Sequence, residues 1–487
     1  MAKQLTNELE NEIITTNHSE RRTFMHYLMF FSGQQFSILG SSVVSFVLIW
    51  WITEVTQSEL MLGLASLASL GPFLLVIPFS GVIADRANRK LLLLIVDLLQ
   101  SLFTVGLTII FMIYYTPGST QNQTLLITSI FITLGLRGIM QAFHSPVIST
   151  LIPTMVPPKY LSRMNGVNFL LSGIIQVIGP VLGAQFLKLF GVSLTMWIDI
   201  ITFGIAVIPL LLIKIPAIVR EIDVKKQKFR EQFVEGIKVI KEIKGLFALI
   251  ITATVINFFF VPVGTLMPLF VNKVHSGTEN DYAIVMVMLQ IGIILGGLFM
   301  AFFKGFKNKI RTAIICIFIM FLGEALLLTI PSSLNARFWI MGSLLLITIL
   351  PNPLANVSFN TSMQLIIPKD KLGRVSSVLG FFSMAISPIA MFLSGVIGEY
   401  MSIGLLYLIS AAMGIITTAI LYFFTPARHL DKTINEKAAK LEAEAKLEAE
   451  QEEKVEELID DLEEVERESI LVSLREEAIS YDVSSNK

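Results

Sequence analysis

Arg137 is the residue of this 487-residue chain whose chemistry most needs an explanation. It lies about 14 residues into an apolar run, roughly 20 Å deep at 1.5 Å per helical residue. A cationic side chain at that depth costs about 2.5–3.5 kcal/mol on insertion scales, so it must face protein or water and have partners. Gln141, His144, Ser145 and Ile148 follow on the same helix face and make a polar stripe. The arrangement reads either as the wall of a transport cavity or as a buried structural network.

Other polar groups recur at helical spacing. Asn352, Asn356 and Asn360 are four residues apart and so share a face. The first apolar run carries Gln34, Gln35, Ser37, Ser41, Ser42 and Ser45, and the seventh carries Asn257 beside Pro262 and Pro268. For each of these the alternative role is a hydrogen bond between helices. Three acids also fall within apolar runs. Asp97 and Asp199 lie near opposite surfaces, which predicts solvated or scaffold roles. Glu324 lies about 13 residues into its run, near the midplane; there it would be protonated or paired, and could carry a proton.

Several chemistries are not expected. No Walker-type phosphate loop is present, and no nucleophile–base arrangement emerges, so neither ATP hydrolysis nor another enzyme activity is anticipated. Cys316 is the only cysteine, which excludes an intramolecular disulfide and reads as buried apolar filler. No metal, cofactor or nucleic-acid partner is expected.

The elements that must position these residues are long and apolar. The chain is 54% hydrophobic and 15% charged, with a mean hydropathy of +0.71; soluble domains carry about 25% charged residues. This excludes a soluble enzyme and a disordered chain, and predicts an all-α integral membrane protein in contact with the lipid bilayer. A hydrocarbon core of about 30 Å needs about 20 apolar residues per helix. Runs of that kind lie near 27–52, 60–84, 91–115, 123–150, 166–190, 193–214, 246–272, 282–304, 311–330, 337–362, 375–397 and 402–424. Continuous runs rather than alternation exclude a porin-like barrel. The first 26 residues are polar and no cleavable signal peptide is visible.

Charge fixes the expected orientation. With both termini in the cytoplasm, 33 of the 37 basic residues lie inside; the outer loops hold Lys188, Lys273 and Arg337, and Arg137 lies within a span. The expected organisation is a polar N-terminus over 1–26, a six-helix bundle over 27–214, a linker over 215–245, a second bundle over 246–424 and a tail over 425–487. In the linker Phe229, Phe233, Ile237 and Ile240 predict an amphipathic helix on the inner membrane surface. From Asp431 onward the tail has 8 basic against 19 acidic residues, a charge of −11, which leaves +10 on the rest. It reads as a solvated charged helix, or as one that binds a protein partner or self-associates.

A repeat underlies the division. Pro157, Leu161 and Arg163, then Gly179 and Pro180, have counterparts in Pro368, Leu372 and Arg374, then Ser387 and Pro388. The offsets are 211 residues for the first set and 208 for the second. Two similar halves suit a transporter that exposes a midplane site by rocking one half against the other.

The loop after the second span holds Gly81, Asp85, Arg86, Arg89 and Lys90 in the order G-x-x-x-D-R-x-x-R-K, which resembles the signature of the major facilitator superfamily. Gly173, Gly179, Pro180 and Gly183 are similar to its antiporter-type pattern in helix 5, and Arg137 resembles its membrane-embedded arginine in helix 4. The wording around spans 4 and 5 looks most like the branch of macrolide efflux proteins and the enterobactin exporter. The resemblance implies two pseudo-symmetric six-helix bundles with helices 1, 4, 7 and 10 around a central cavity, where the polar residues of this chain concentrate. Gly81 would let a neighbouring helix approach, and Asp85 would latch the N-terminus of helix 11 near Val375. Arg86, Arg89 and Lys90 would join that latch or serve as a positive-inside anchor. The loop 297–309 keeps Lys304, Lys307 and Lys309 but lacks the acid, so a matching latch is not expected there. Gly173, Gly179, Pro180 and Gly183 would permit close packing and a bend.

The implied activity is proton-coupled efflux of a bulky, partly hydrophobic, drug- or macrolide-like molecule across the plasma membrane. Export of a siderophore and movement of a lysophospholipid are alternatives. A membrane scaffold or sensor acting through residues 431–487 is an alternative of another class; deleting that tail should spare most flux in a transporter.

Overall fold

A computed structural model describes residues 2–213, 229–243, 245–303, 305–368, 371–426, 430–440, 443, 450–451 and 454, without the side chains of 2–21, 82, 85, 86, 153, 229–233 and 377. Among the described residues there is helix and no strand. The first half comprises α1 (Ala2–Thr56), α2 (Glu59–Arg86), α3 (Arg89–Tyr114), α4 (Gln123–Met155), α5 (Pro158–Thr195) and α6 (Trp197–Leu212). The linker holds α7 (Phe229–Glu242). The second half comprises α8 (Leu246–Leu269), α9 (Glu279–Phe302), α10 (Lys309–Leu326), α11 (Arg337–Ile349), α12 (Pro351–Ile366), α13 (Leu372–Gly398) and α14 (Ile403–Phe424).

Among the described residues eleven spans are long and apolar enough to cross a membrane, with α11 and α12 forming one of them. The sixth expected span is the 16-residue α6, shorter than its apolar run. Gly191, at φ 71°, breaks the helix before it, and Asp199 in the first turn of α6 is pulled into the bundle. Span ten is bent where Pro351 removes a helical hydrogen bond.

The halves repeat one packing plan. In the first, α1 lies on α5 and α6, α2 on α4, and α3 on α4 and α6; in the second, α8 lies on α13 and α14, α9 on α11, and α10 on α12 and α14. Between the halves, α2 meets α13 and α5 meets α9. Small residues make the close approaches. A Cβ on Gly179 would come within 2.1 Å of Ser42 Oγ, and one on Gly183 within 2.8 Å of the Phe46 ring, so α1 and α5 touch there. Gly173 abuts Ile294 of α9.

Apolar burial shows which end is shut. Away from the linker, one core joins both halves, with Trp50, Leu62 and Ala65 packed into the same cluster as Leu266, Phe270 and Tyr282. At the linker end the halves have separate cores, one around Tyr27, Leu93 and Leu151, the other around Leu249, Val375 and Ile434. The protein is therefore closed at the far end and parted at the linker end. This explains Gly81, which was expected at a close helix approach: a Cβ there would meet no described atom within 4 Å.

The linker and tail also depart from expectation. Val239 and Ile240 of α7 are buried in the second-half core, and Glu235 pairs with Arg374 of α13, so this helix docks on protein rather than lying on lipid. Phe229 and Phe233 lie outside the described side chains. Residues 430–440 form a helix whose Leu430 and Ile434 are buried in the same core. Asp431 accepts hydrogen bonds from the backbone N–H groups of Ile310 (2.8 Å) and Arg311 (3.1 Å), capping α10, and Lys437 donates to the Ile366 carbonyl at 2.9 Å, capping α12. The tail thus brings an acid to the end of the loop 297–309, but onto α10 of the same half, not as a latch to the first half. The heptad-like stretch from Val455 lies outside the described residues.

Truncation separates these parts of the tail. Deletion from residue 441 should leave the thermal midpoint in detergent unchanged. Deletion from residue 430 removes a helix cap, at about 0.5–2 kcal/mol, and two buried aliphatic side chains at about 1.5–3 kcal/mol each; a lower midpoint in a fluorescence thermal scan is expected.

Candidate functional site

The polar stripe of α4 meets three other helices inside the first half. Arg137 Nη1 donates to Asp199 Oδ2 of α6 and to Thr104 Oγ1 of α3, both at 2.5 Å, and its Nη2 donates to Ser41 Oγ of α1 at 2.9 Å. The Ser41 and Thr104 hydroxyls in turn donate to the Asp199 carboxylate at 2.7 and 2.9 Å. The Arg137 and Asp199 side chains are 17% and 6% exposed. Such a pair offsets its desolvation only when the remaining donors and acceptors are satisfied, which the two hydroxyls accomplish. Of the solvated and scaffold roles expected for Asp199, the structure gives it the second, as a buried counter-ion.

A second layer lies two helical turns nearer the linker end. Gln34, Asp97 and His144 each stand seven residues from Ser41, Thr104 and Arg137 (41 − 34, 104 − 97 and 144 − 137). Gln34 Nε2 donates to Asp97 Oδ2 at 3.1 Å, and His144 Nε2 lies 3.3 Å from Asp97 Oδ1. Asp97 is 7% exposed, so it too is buried rather than solvated. Gln141 is exposed and donates to Ser145 Oγ at 3.4 Å. Ser45 is exposed, and the Gln35 amide oxygen is buried without a hydrogen bond.

The second half holds a cavity of about 420 Å³ enclosed chiefly by α8 to α12, with Ser66 of α2 and Met391 of α13 at its edge. Most of the wall is apolar. Asn257 of α8, Thr348 of α11 and Asn352 of α12 give it polar points, and Glu324 of α10 gives it a carboxylate. Glu324 is 2% exposed, and among the described residues neither of its oxygens has a hydrogen-bond partner. Depth divides the asparagine ladder of α12: Asn352 lines this cavity, Asn356 donates to Asn352 Oδ1 at 3.0 Å, and Asn360, two turns farther along, lines a smaller cleft between α12 and α13. Sequence reasoning placed Glu324 near the midplane without a cavity beside it and overlooked Ser66 and Thr348; the prolines of α8 and α12 were the available signal.

In the loop after α2, the Asp85 and Arg86 side chains lie outside the described residues, and their expected latch with them. Lys90 donates to the Leu211 and Ile213 carbonyls at 2.7 Å each, a cation on the C-terminus of α6. Arg89 Nη1 is buried and has no hydrogen-bond partner among the described residues.

The network of α4 makes a separable prediction. Arg137→Ala leaves Asp199 as an unpaired buried charge, a loss of about 3–5 kcal/mol, read as a lower detergent melting midpoint. The double change Arg137→Gln with Asp199→Asn should recover most of it, so transport lost in Arg137→Ala must be judged beside the stability of both variants.

Residues 30–390 match the Major Facilitator Superfamily. Macrolide efflux protein A of Streptococcus pyogenes is 26% identical over 407 residues, which cover 84% of this chain and 98% of that protein. The multidrug efflux pump Tap of Mycolicibacterium fortuitum is 22% identical over 400 residues, 80% of this chain and 93% of the pump. A bacterial homologue of the iron transporter ferroportin, solved in an inward-facing state, superposes with a TM-score of 0.63 at 15% identity, over 82% of this chain and 99% of that one. At that identity the likeness is one of fold. Its repeated six-helix halves, its signature loop and these matches agree: the chain belongs to the Major Facilitator Superfamily, and its resemblance to the macrolide-efflux branch holds over nearly the full length of that relative.

Proposed function

We propose that this protein is a secondary active exporter that moves a bulky, partly hydrophobic, drug- or macrolide-like molecule out of the cell in exchange for protons. It resides in the plasma membrane with both termini and the linker in the cytoplasm, as the 33 of 37 basic residues on that side favour. The far end is then the outer face, and the parted linker end admits substrate from the cytoplasm.

The observation that carries the reading is the unpartnered Glu324 in its apolar cavity. An ionised carboxylate without hydrogen bonds is costly in such surroundings, so its natural chemistry there is to bind and release a proton as the cavity changes its exposure. Asn257 and Asn352 stand beside it as neutral donors and acceptors for a substrate. In the first half Arg137, Ser41, Gln34 and His144 are taken up by the internal networks, and Gln141 and Ser45, which are exposed, with Ser145 and Gln35, are the polar groups left to meet a substrate. Similarity to macrolide and multidrug efflux proteins supports the direction and class of substrate.

Everted membrane vesicles acidified inside should accumulate a macrolide or dye that the protein is first shown to bind, and a protonophore should abolish the accumulation. Glu324→Gln should reduce uptake to the protonophore level while preserving substrate-for-substrate exchange. Unchanged gradient-driven uptake in Glu324→Gln would remove Glu324 as carrier, and indifference of the wild type to the gradient would remove proton coupling.

A further inference from the structure

The two helices that meet across the far-end seam, α2 and α13, come from different halves and run antiparallel. They touch through glycine: a Cβ on Gly63 would lie 3.0 Å from the Gly395 Cα, and one on Gly395 would lie 2.7 Å from the Glu59 carbonyl oxygen. No side chain separates the backbones there, so groups at the helix ends are brought into register.

At the far end α13 finishes at Gly398, and the next residue reaches across the seam. Glu399 Oε1 accepts hydrogen bonds from the Ser58 hydroxyl (2.5 Å) and from the Leu60 backbone N–H (3.2 Å). Ser58 is the N-cap of α2, its own Oγ accepting from the Met61 N–H at 3.3 Å. A carboxylate of the second half therefore sits on the N-terminus of a first-half helix, where unpaired N–H groups and the positive end of the dipole favour an anion. The Ser58 hydroxyl and the Leu60 N–H, with Lys273 nearby, hold Glu399 below the usual carboxylate range.

The same hairpin is gripped from a second side. Lys273 donates to Glu59 Oε1 at 2.9 Å and to the Gln57 carbonyl at 3.1 Å, while Gln57 Nε2 donates to Asn272 Oδ1 at 2.5 Å. Residues 57–60 of the first half are thus bound by Asn272, Lys273 and Glu399 of the second.

We propose that Glu399 is a gating residue, the outer latch of the transport cycle, and that it works in opposition to Asp85. Each helix of the antiparallel pair is followed, or ended, by an acid that can reach the N-terminus of its partner. Glu399 at the end of α13 serves α2 on the outer face, as the signature-loop resemblance assigns Asp85 at the end of α2 to α13 on the inner face. Rocking about the glycine contact separates one helix end as it approaches the other, so the two acids engage in alternation. In the state described here the Glu399 latch is made and the inner ends of the two cores are apart.

The inference rests on alternating access, but its test needs neither substrate nor proton gradient. In a Cys316→Ala background, Leu62→Cys places a reporter thiol in the far-end core on the face of α2 shared with Glu59 and Ser66, which meet the second half, where Leu62 is 2% exposed. A membrane-impermeant maleimide added from outside reads how often the seam opens. Glu399→Ala should raise the labelling rate about two- to thirtyfold, the range of N-cap truncations converted to a population ratio. Glu399→Gln, which keeps the acceptor and loses the charge, should fall between. Asp85→Asn should slow labelling, and Glu399→Ala combined with Asp85→Asn should return it toward the parent rate. Parental labelling in both Glu399 variants would overturn the latch, even with efflux intact. So would a raised rate that Asp85→Asn leaves untouched, since a merely loosened loop would behave that way. If Glu399→Ala does not elute as a monodisperse species, Glu399→Gln carries the measurement.

Discussion

A guanidinium held inside a bilayer must find its counter-charge within the protein, and much of the first half is organised by that requirement. Arg137 of α4 draws Asp199 of α6 inward, and Ser41 of α1 and Thr104 of α3 complete the hydrogen bonds that the two ions need. Four of six helices are tied at one level, and α6 gives up length to bring its first turn there. The layer of Gln34, Asp97 and His144 repeats the arrangement two turns away on α1, α3 and α4. Together the layers fix the rotation of these helices about their own axes, which apolar packing against lipid leaves weakly determined.

The second half answers the same problem in the opposite way. Its buried acid, Glu324, has no hydrogen-bond partner and looks into a cavity rather than into a network. Two halves descended from one plan thus divide the work. One neutralises its charges internally, and the other keeps an acid without a described hydrogen-bond partner at the wall of a cavity. An asymmetry of this kind suits the proton exchange proposed above, because a group already satisfied by the protein has little to gain from a proton or a substrate.

Continuous apolar runs, the bias of basic residues and the repeated proline and arginine positions made the number of spans, their grouping and the superfamily legible in the chain. Facing directions were less legible, because in a helix apolar on all sides no moment distinguishes lipid from neighbour. Asn352, Asn356 and Asn360 share a helix face, but their different depths along α12 send Asn352 to the cavity and Asn360 to another cleft. Asp199 lies 62 residues from Arg137, and nothing local marks them as partners. Glu324 was visible as a deeply placed acid; its cavity was not, since that depends on how five helices meet. The docking of α7 and of residues 430–440 was hidden by a composition that suits a solvated helix equally well.

Those two docked helices bear on how the cavity survives a rocking motion. Residues 430–440 join the start of α10 through Asp431 to the end of α12 through Lys437, and α7 holds α13 through Glu235 and Arg374. The restrained helices include the one that carries Glu324 and the one that carries Asn352. At the linker end, where the halves have parted and no shared core supports them, α10, α12 and α13 would otherwise be free to splay. A charge placed on a helix terminus is suited to preventing this, because it acts on the unpaired groups of the last turn without entering the apolar interior. The brace lies entirely on the second half, so it can keep the distance between the cavity's acid and its amides constant while the far-end seam between α2 and α13 opens and closes.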